Sequence, residues 1–345
     1  MNGTSGLPPR RTSFVSACAL LALAASAGEA ILPPAQPETG PGGKEYKHGS
    51  LTCETHGTGV GQYWIFDPTD PKPERAPVVF FLHGWTAMDP SVYGAWIRHL
   101  ARKGNIVIYP RYQANLLTPP KEMLEGALGA LKAALKVLRE PGHVQAELDQ
   151  VAVVGHSLGG SMCVNVAVRA KAEGLPQPRA VMIVQPAGAT GPGGIALLPA
   201  EDPARIPAGT LLLVVTGEHD LMVGTEPGRK VFSGATSVAK ADRNYVLMRS
   251  DGHGQPPLWA DHLSPLAFDA TVTQPKAGAP AAKGNDTGGN ALDHYGYWKF
   301  LDALCDAAFH GRNRDCALGN TVKQRFMGTW SDGLAVKEPE VLVPP

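Results

Sequence analysis

The sequence predicts a doubly wound α/β fold: a mostly parallel sheet with helices on both faces and no large cap domain. Two observations predict it. Short, predominantly apolar runs recur along the 345 residues, at 77–82, 105–109, 151–154, 180–184, 211–216 and 245–249. A strand that is apolar at every position is buried on both faces, and that is the condition of a parallel strand covered by helices on either side. Segments of helical spacing separate several of these runs, and alternating strands and helices favour a parallel sheet.

The elements follow in order. Pro77 to Leu82 is a buried strand that ends in His83-Gly84-Trp85. Ser91 to Ala101 has helical spacing, and Asn105 to Tyr109 is a strand closed by Pro110. Lys121 to Arg139 is a helix with Leu124, Leu128, Leu131, Leu135 and Leu138 on one face. The strand 151–154 passes through Gly155-His156-Ser157-Leu158-Gly159 into an apolar helical stretch, Ser161 to Ala170. Ala180 to Val184, Leu211 to Thr216 and Tyr245 to Arg249 are three more strands, and Tyr295 to Phe309 is a final helix. The connection from Gln185 to Gly209 is short and rich in Gly and Pro, so no large lid is expected there.

The passage around Ser157 carries the chemistry. A serine at the apex of a strand–turn–helix is held in a strained conformation, and small residues on both sides let the strand and helix approach. Gly155, Gly159 and Gly160 supply them. A serine hydroxyl is a poor nucleophile at neutral pH and needs a base within hydrogen-bond reach, itself oriented by a carboxylate. Asp220 follows the strand 211–216, and His253 follows the strand 245–249 within Ser250-Asp251-Gly252-His253-Gly254. Serine, acid and histidine thus each fall at the carboxyl end of a strand, where open α/β sheets place their sites. Glu218 and Asp251 compete with Asp220, and His219, His262 and His294 compete with His253. His83 and His156 flank the serine and are read as structural.

With the order Ser157, Asp220, His253, the chain resembles the α/β-hydrolase superfamily over roughly residues 50 to 310. The resemblance implies a metal-free, cofactor-free serine carboxylic-ester hydrolase working through an acyl-enzyme. It also implies an oxyanion hole formed by the backbone amides of Trp85 and Leu158. Dienelactone-hydrolase-like, chlorophyllase-like and cutinase or polyester-hydrolase enzymes are the similar branches. The departures are Ser157 where dienelactone hydrolases carry cysteine, and Leu158 and Gln185-Pro186-Ala187 where polyester hydrolases commonly carry Met and Trp. The expected substrate is a small-molecule or polymeric ester, short-chain or presented at a surface. An acyltransferase, a serine peptidase with the same triad and a non-catalytic binding protein of this fold are the competing readings.

Lys plus Arg and Asp plus Glu number 31 each, so the formal net charge is zero and no footprint of a nucleic-acid partner is visible. Arg10 and Arg11 precede an apolar stretch, Phe14 to Ala25, and Ala25-Ser26-Ala27 fits a cleavage site. Residues 1–27 therefore read as a signal peptide of a secreted or periplasmic monomer without a membrane span. Residues 28–50 read as a flexible linker, 51–312 as the catalytic domain and 313–345 as a carboxyl-terminal tail. Residues 274–290 are read as a loop beside His253. Export implies oxidising conditions, and a Cys305–Cys316 disulfide is expected across the turn that follows the last helix. Cys163 is expected to be a small buried apolar residue.

Overall fold

The computed structural model describes residues 1–3, 30–188, 198–273 and 288–344. The signal-peptide reading and most of the loop 274–290 lie outside them. The architecture is a doubly wound, mostly parallel α/β sheet with helices on both faces. Among the described residues, nine strands form one sheet in the order β1-β2-β4-β3-β5-β6-β7-β8-β9. They are β1 (Ser50–His56), β2 (Gln62–Thr69), β3 (Arg75–Leu82), β4 (Ile106–Arg111), β5 (Gln145–His156), β6 (Ala180–Val184), β7 (Leu211–Gly217), β8 (Arg243–Met248) and β9 (Glu340–Leu342). Strands β4, β3, β5, β6, β7 and β8 run parallel, while β1, β2 and β9 pair antiparallel at the two edges.

The helices are α1 (Gly94–Arg102), α2 (Pro120–Val137), α3 (Leu158–Arg169), α4 (Glu226–Gly234), α5 (Trp298–His310), α6 (Arg314–Ala317) and α7 (Val322–Arg325). They divide the core in two. Trp96 and Leu100 of α1 and Phe300, Leu301 and Leu304 of α5 pack with Val79 and Phe81 on one face of the sheet. Leu124, Leu128 and Leu131 of α2, Met162 and Val166 of α3 and Phe232 of α4 pack with Val78, Phe80 and Leu82 on the other. Successive β3 side chains point to opposite faces, so a strand covered on both sides must be apolar throughout. That requirement explains why the central strands are legible as continuous runs. All six expected strands and the helices at 94–102, 120–137 and 158–169 match observed elements within a few residues, except that β5 begins six residues before the expected 151–154. The final helix begins with a π-helical turn, Asp293–Tyr297, before α5.

Three expectations change. Residues 31–44 are pinned rather than flexible: Gln255 N–H donates to the Ile31 carbonyl at 2.8 Å, Leu32 N–H donates to Ser331 Oγ at 2.9 Å, and Gly42 N–H donates to Asp302 Oδ2 at 2.8 Å. The segment after residue 312 is no tail. It contributes α6, α7 and β9, and it buries Trp330 with 1% exposure, whose Nε1–H donates to Asp251 Oδ2 at 3.1 Å. Its apolar residues are spread thinly among polar ones, so no periodic run betrays them. The Cys305–Cys316 bridge is absent, and both residues are free thiols. Gly311 does turn the chain, in a left-handed helix cap, but Cys305 lies on the α5 face packed into the core and Cys316 Sγ is 3.8 Å from Asp315 Oδ1. Burial raises the pKa of both thiols. Cys163 is buried, as expected.

Trp330→Ala should therefore destabilise the protein by about 3–5 kcal/mol, the range for emptying a tryptophan site in a core. A denaturant titration that moves by less than about 0.5 kcal/mol, the range for exposed positions, would return these residues to the status of a tail.

Candidate active site

Ser157 sits between the end of β5 and the first turn of α3 with φ 56 and ψ −117, a conformation costly for a residue with a side chain. The surroundings enforce it. Ser157 N–H donates to the Val184 carbonyl at 2.9 Å, and the Ser157 carbonyl accepts from Ala187 N–H at 3.0 Å, which fastens both sides of the turn to the end of β6. A Cβ on Gly159 would overlap the carbonyl oxygens of Leu82 and His83 at the end of β3. Only glycine allows α3 to start this close to the neighbouring strand.

Ser157 Oγ is 2.9 Å from His262 Nε2, and His262 Nδ1 is 2.8 Å from Asp220 Oδ2. All three residues are at least 94% buried. The hydrogen bonds form one line from carboxylate to hydroxyl, with Nδ1–H donating to Asp220 and Nε2 left to accept from the serine. Asp220 Oδ1 accepts the amides of Met222 and Val223, each at 3.0 Å. Burial opposes ionisation of this carboxyl, but the hydrogen bonds from His262, Val223 and Met222 outweigh it and hold the pKa below the usual carboxylate value.

The histidine expectation is thus corrected. His253 does not meet Ser157. Its Nε2 is 2.7 Å from Asp332 Oδ2, and its ring lies edge-on to Trp330. The reason is a doubling back of the chain after β8. Asp251 and Leu258 exchange backbone hydrogen bonds at 2.8 Å in both directions, so Gly252 to Pro257 form a closed excursion with His253 inside it. Past that excursion, Ala260 N–H donates to Ser250 Oγ, and the Ala260 carbonyl accepts from His219 N–H. The chain therefore returns to the end of β7 just before His262. Nearness in sequence to β8 favoured His253, whereas the signal for His262 was a long-range closure that periodicity does not reveal.

The other competitors have separate work. Glu218 accepts from Ser250 N–H at 2.9 Å and Arg249 Nη1 at 3.0 Å. Asp251 accepts from the amides of His253 and Lys337 and from Trp330 Nε1, at 3.0, 3.0 and 3.1 Å. His219 Nδ1 is 2.6 Å from Ser250 Oγ. His294 is buried against Trp298.

Trp85 belongs to a turn, Gly84 to Ala87, that closes with a 3.1 Å backbone hydrogen bond. Gly84 N–H donates to Tyr93 Oη at 3.0 Å and Thr86 N–H to Gln113 Oε1 at 2.8 Å. The amides of Trp85 and Leu158 have no protein acceptor among the described residues. The Trp85 residue is 38% exposed.

A family model described as the alpha/beta hydrolase fold matches residues 79–205. That span covers the second half of β3 and the whole Ser157 turn, and stops short of Asp220 and His262. No curated protein matches the chain. The sheet and the matched segment agree on the α/β-hydrolase fold.

Two outcomes test this geometry. Gly159→Ala should lower stability by about 1–3 kcal/mol, the usual cost of overpacking, and an unchanged denaturation midpoint would contradict the close approach. The second concerns acid. A carboxyl with a depressed native pKa contributes stability that is present above its unfolded value, about 3.9, and is lost as pH falls through the native value. Wild-type stability should therefore decline more steeply below about pH 4 than that of Asp220→Asn, and parallel curves would show that Asp220 carries no such stabilisation.

Proposed function

We propose that the protein is a serine carboxylic-ester hydrolase in which Ser157 is the nucleophile, His262 the general base and Asp220 its orienting carboxylate. The continuous hydrogen-bonded line from Asp220 through His262 to Ser157 carries the reading. Ser157 Oγ attacks the acyl carbon as its proton passes to His262 Nε2, and Asp220 stabilises the imidazolium that forms. The unengaged amides of Trp85 and Leu158 are the donors for the tetrahedral oxyanion, a contribution of about 3 kcal/mol for each such donor. Collapse releases the alcohol, which takes the proton from His262, and leaves an acyl-serine. Water activated by the same histidine then releases the acid.

Short-chain or surface-presented esters are the proposed substrates. Among the described residues, the connection from β6 to β7 holds a single 3-10 turn, Pro203–Arg205, and the Trp85 side chain, in the loop after β3, is partly exposed. Export is part of the proposal and rests on the arginine-led apolar segment of residues 10–27.

Assays on p-nitrophenyl esters of graded length test the function. Ser157→Ala should lower kcat by roughly a millionfold while the fold persists, as loss of a triad nucleophile does, and fluorophosphonate labelling should vanish with it. His262→Ala should be comparably inert and His253→Ala should stay near the wild-type rate. Activity in a folded Ser157→Ala protein, or loss of activity in His253→Ala alone, would overturn the assignment. A butyrate ester should be hydrolysed faster than an octanoate, and the opposite order would contradict the short-acyl reading.

A further inference from the structure

His156 and Gln185 are buried polar residues beside the nucleophile that the acyl-transfer steps do not use. Together they connect two loops of the site. Gln185 Nε2 lies 2.7 Å from the carbonyl of Asp261, the residue before His262, and 3.3 Å from Tyr297 Oη. Its Oε1 lies 3.3 Å from His156 Nε2, and His156 Nδ1 lies 2.8 Å from Tyr93 Oη. Tyr93 Oη in turn accepts from Gly84 N–H, in the loop that carries Trp85.

The direction of every bond is forced. A backbone carbonyl only accepts, so the Gln185 amide nitrogen must face Asp261, which turns Oε1 toward His156. His156 must then carry its proton on Nε2, leaving Nδ1 to accept from the Tyr93 hydroxyl. That hydroxyl still has a lone pair for Gly84 N–H. Each member is at once satisfied and fixed in sense, the condition under which a buried polar network rigidifies its surroundings. His156 stays neutral in it: burial first, and then the neighbouring His262, press its pKa down to about 3. The His156 and His262 rings are 4.8 Å apart, so a charged His156 would oppose the imidazolium formed during acyl transfer.

We infer that Gln185 is a positioning residue: through Asp261 it fixes the loop that aims His262 at Ser157, and through His156 and Tyr93 it ties that loop to the turn bearing the Trp85 amide. This rests on the proposed serine-esterase function. The backbone at Gln185 supports a built role, because Gln185 occupies φ 43 and its amide donates to the Val215 carbonyl at 2.7 Å. A side chain that only filled space would not require this backbone conformation or a donor and acceptor placed on opposite sides.

Gln185→Met keeps length and volume and removes both hydrogen-bonding ends. Gln185→Glu keeps the acceptor for His156 and loses the donor to Asp261. Both should lower kcat by roughly 10- to 100-fold, as small misplacements of catalytic groups do, with little change in KM and with fluorophosphonate labelling slowed in parallel. Tyr93→Phe should also lower kcat, and the double variant Tyr93→Phe/Gln185→Met should lose less than the product of the two single losses, since both cut one network. Folded Gln185→Met with wild-type kcat, or strictly multiplicative losses in the double variant, would overturn the inference. If Gln185→Met fails to fold, Gln185→Glu and Tyr93→Phe carry the same comparison. The far-downfield proton resonance of His262 Nδ1–H on Asp220 gives a readout independent of turnover. It should broaden or vanish in the Gln185 variants, and its persistence unchanged would refute the positioning role. Should the wild-type chain hydrolyse no ester, the function fails while this resonance still decides the positioning.

Discussion

The close approach of the α3 start to the end of β3 is the constraint on which the rest of the site depends. It forces glycine at 159, it holds Ser157 in a left-handed conformation, and it lifts the Ser157 side chain clear of the strand that carries it. The strain is held in place by hydrogen bonds to the end of β6 and by two apolar cores that lock β5 from both faces. A serine placed this way is already within 2.9 Å of its histidine partner. The positioning cost is met during folding, so the encounter with a substrate does not bear it again.

Around that turn, the buried polar groups divide by the hydrogen-bond partners aimed at them. The Asp220 carboxylate is satisfied by two loop amides and His262. His156, equally buried, hydrogen-bonds the neutral side chains of Gln185 and Tyr93, and burial, followed by the neighbouring His262, keeps it unprotonated while Asp220 remains ionised. Two equally buried groups beside His262 thus take opposite roles because one has amide donors aimed at it and the other does not.

The sequence revealed most of what depends on local pattern. Strands covered on both faces read as apolar runs, and the turn at Ser157 read as glycine, serine and glycine between a strand and a helix. Asp220 was legible because it lies three residues beyond a buried strand. His262 was not, because fourteen residues separate it from the end of β8 and the Asp251–Leu258 bridge that folds the intervening segment away is a contact no spacing rule encodes. The edge strands β1, β2 and β9 carry mixed sequence and were likewise missed. The Cys305–Cys316 expectation failed for a related reason: the turn was legible, but which helix face each thiol occupies is settled by packing against the sheet.

The anchoring of the histidine loop gives the order of synthesis a role. Asp251, at the base of the excursion that precedes His262, bonds Trp330 and the backbone of Lys337, partners 79 and 86 residues later in the chain. During translation the nucleophile turn is complete long before these partners exist. The base of the loop gains its last anchors only as the carboxyl-terminal segment emerges, so a nascent chain holds an assembled serine turn beside a histidine arm that is still loosely tethered. The loop before His262 thus draws its anchors at Asp251 from Trp330 and Lys337, far along the chain from the nucleophile turn.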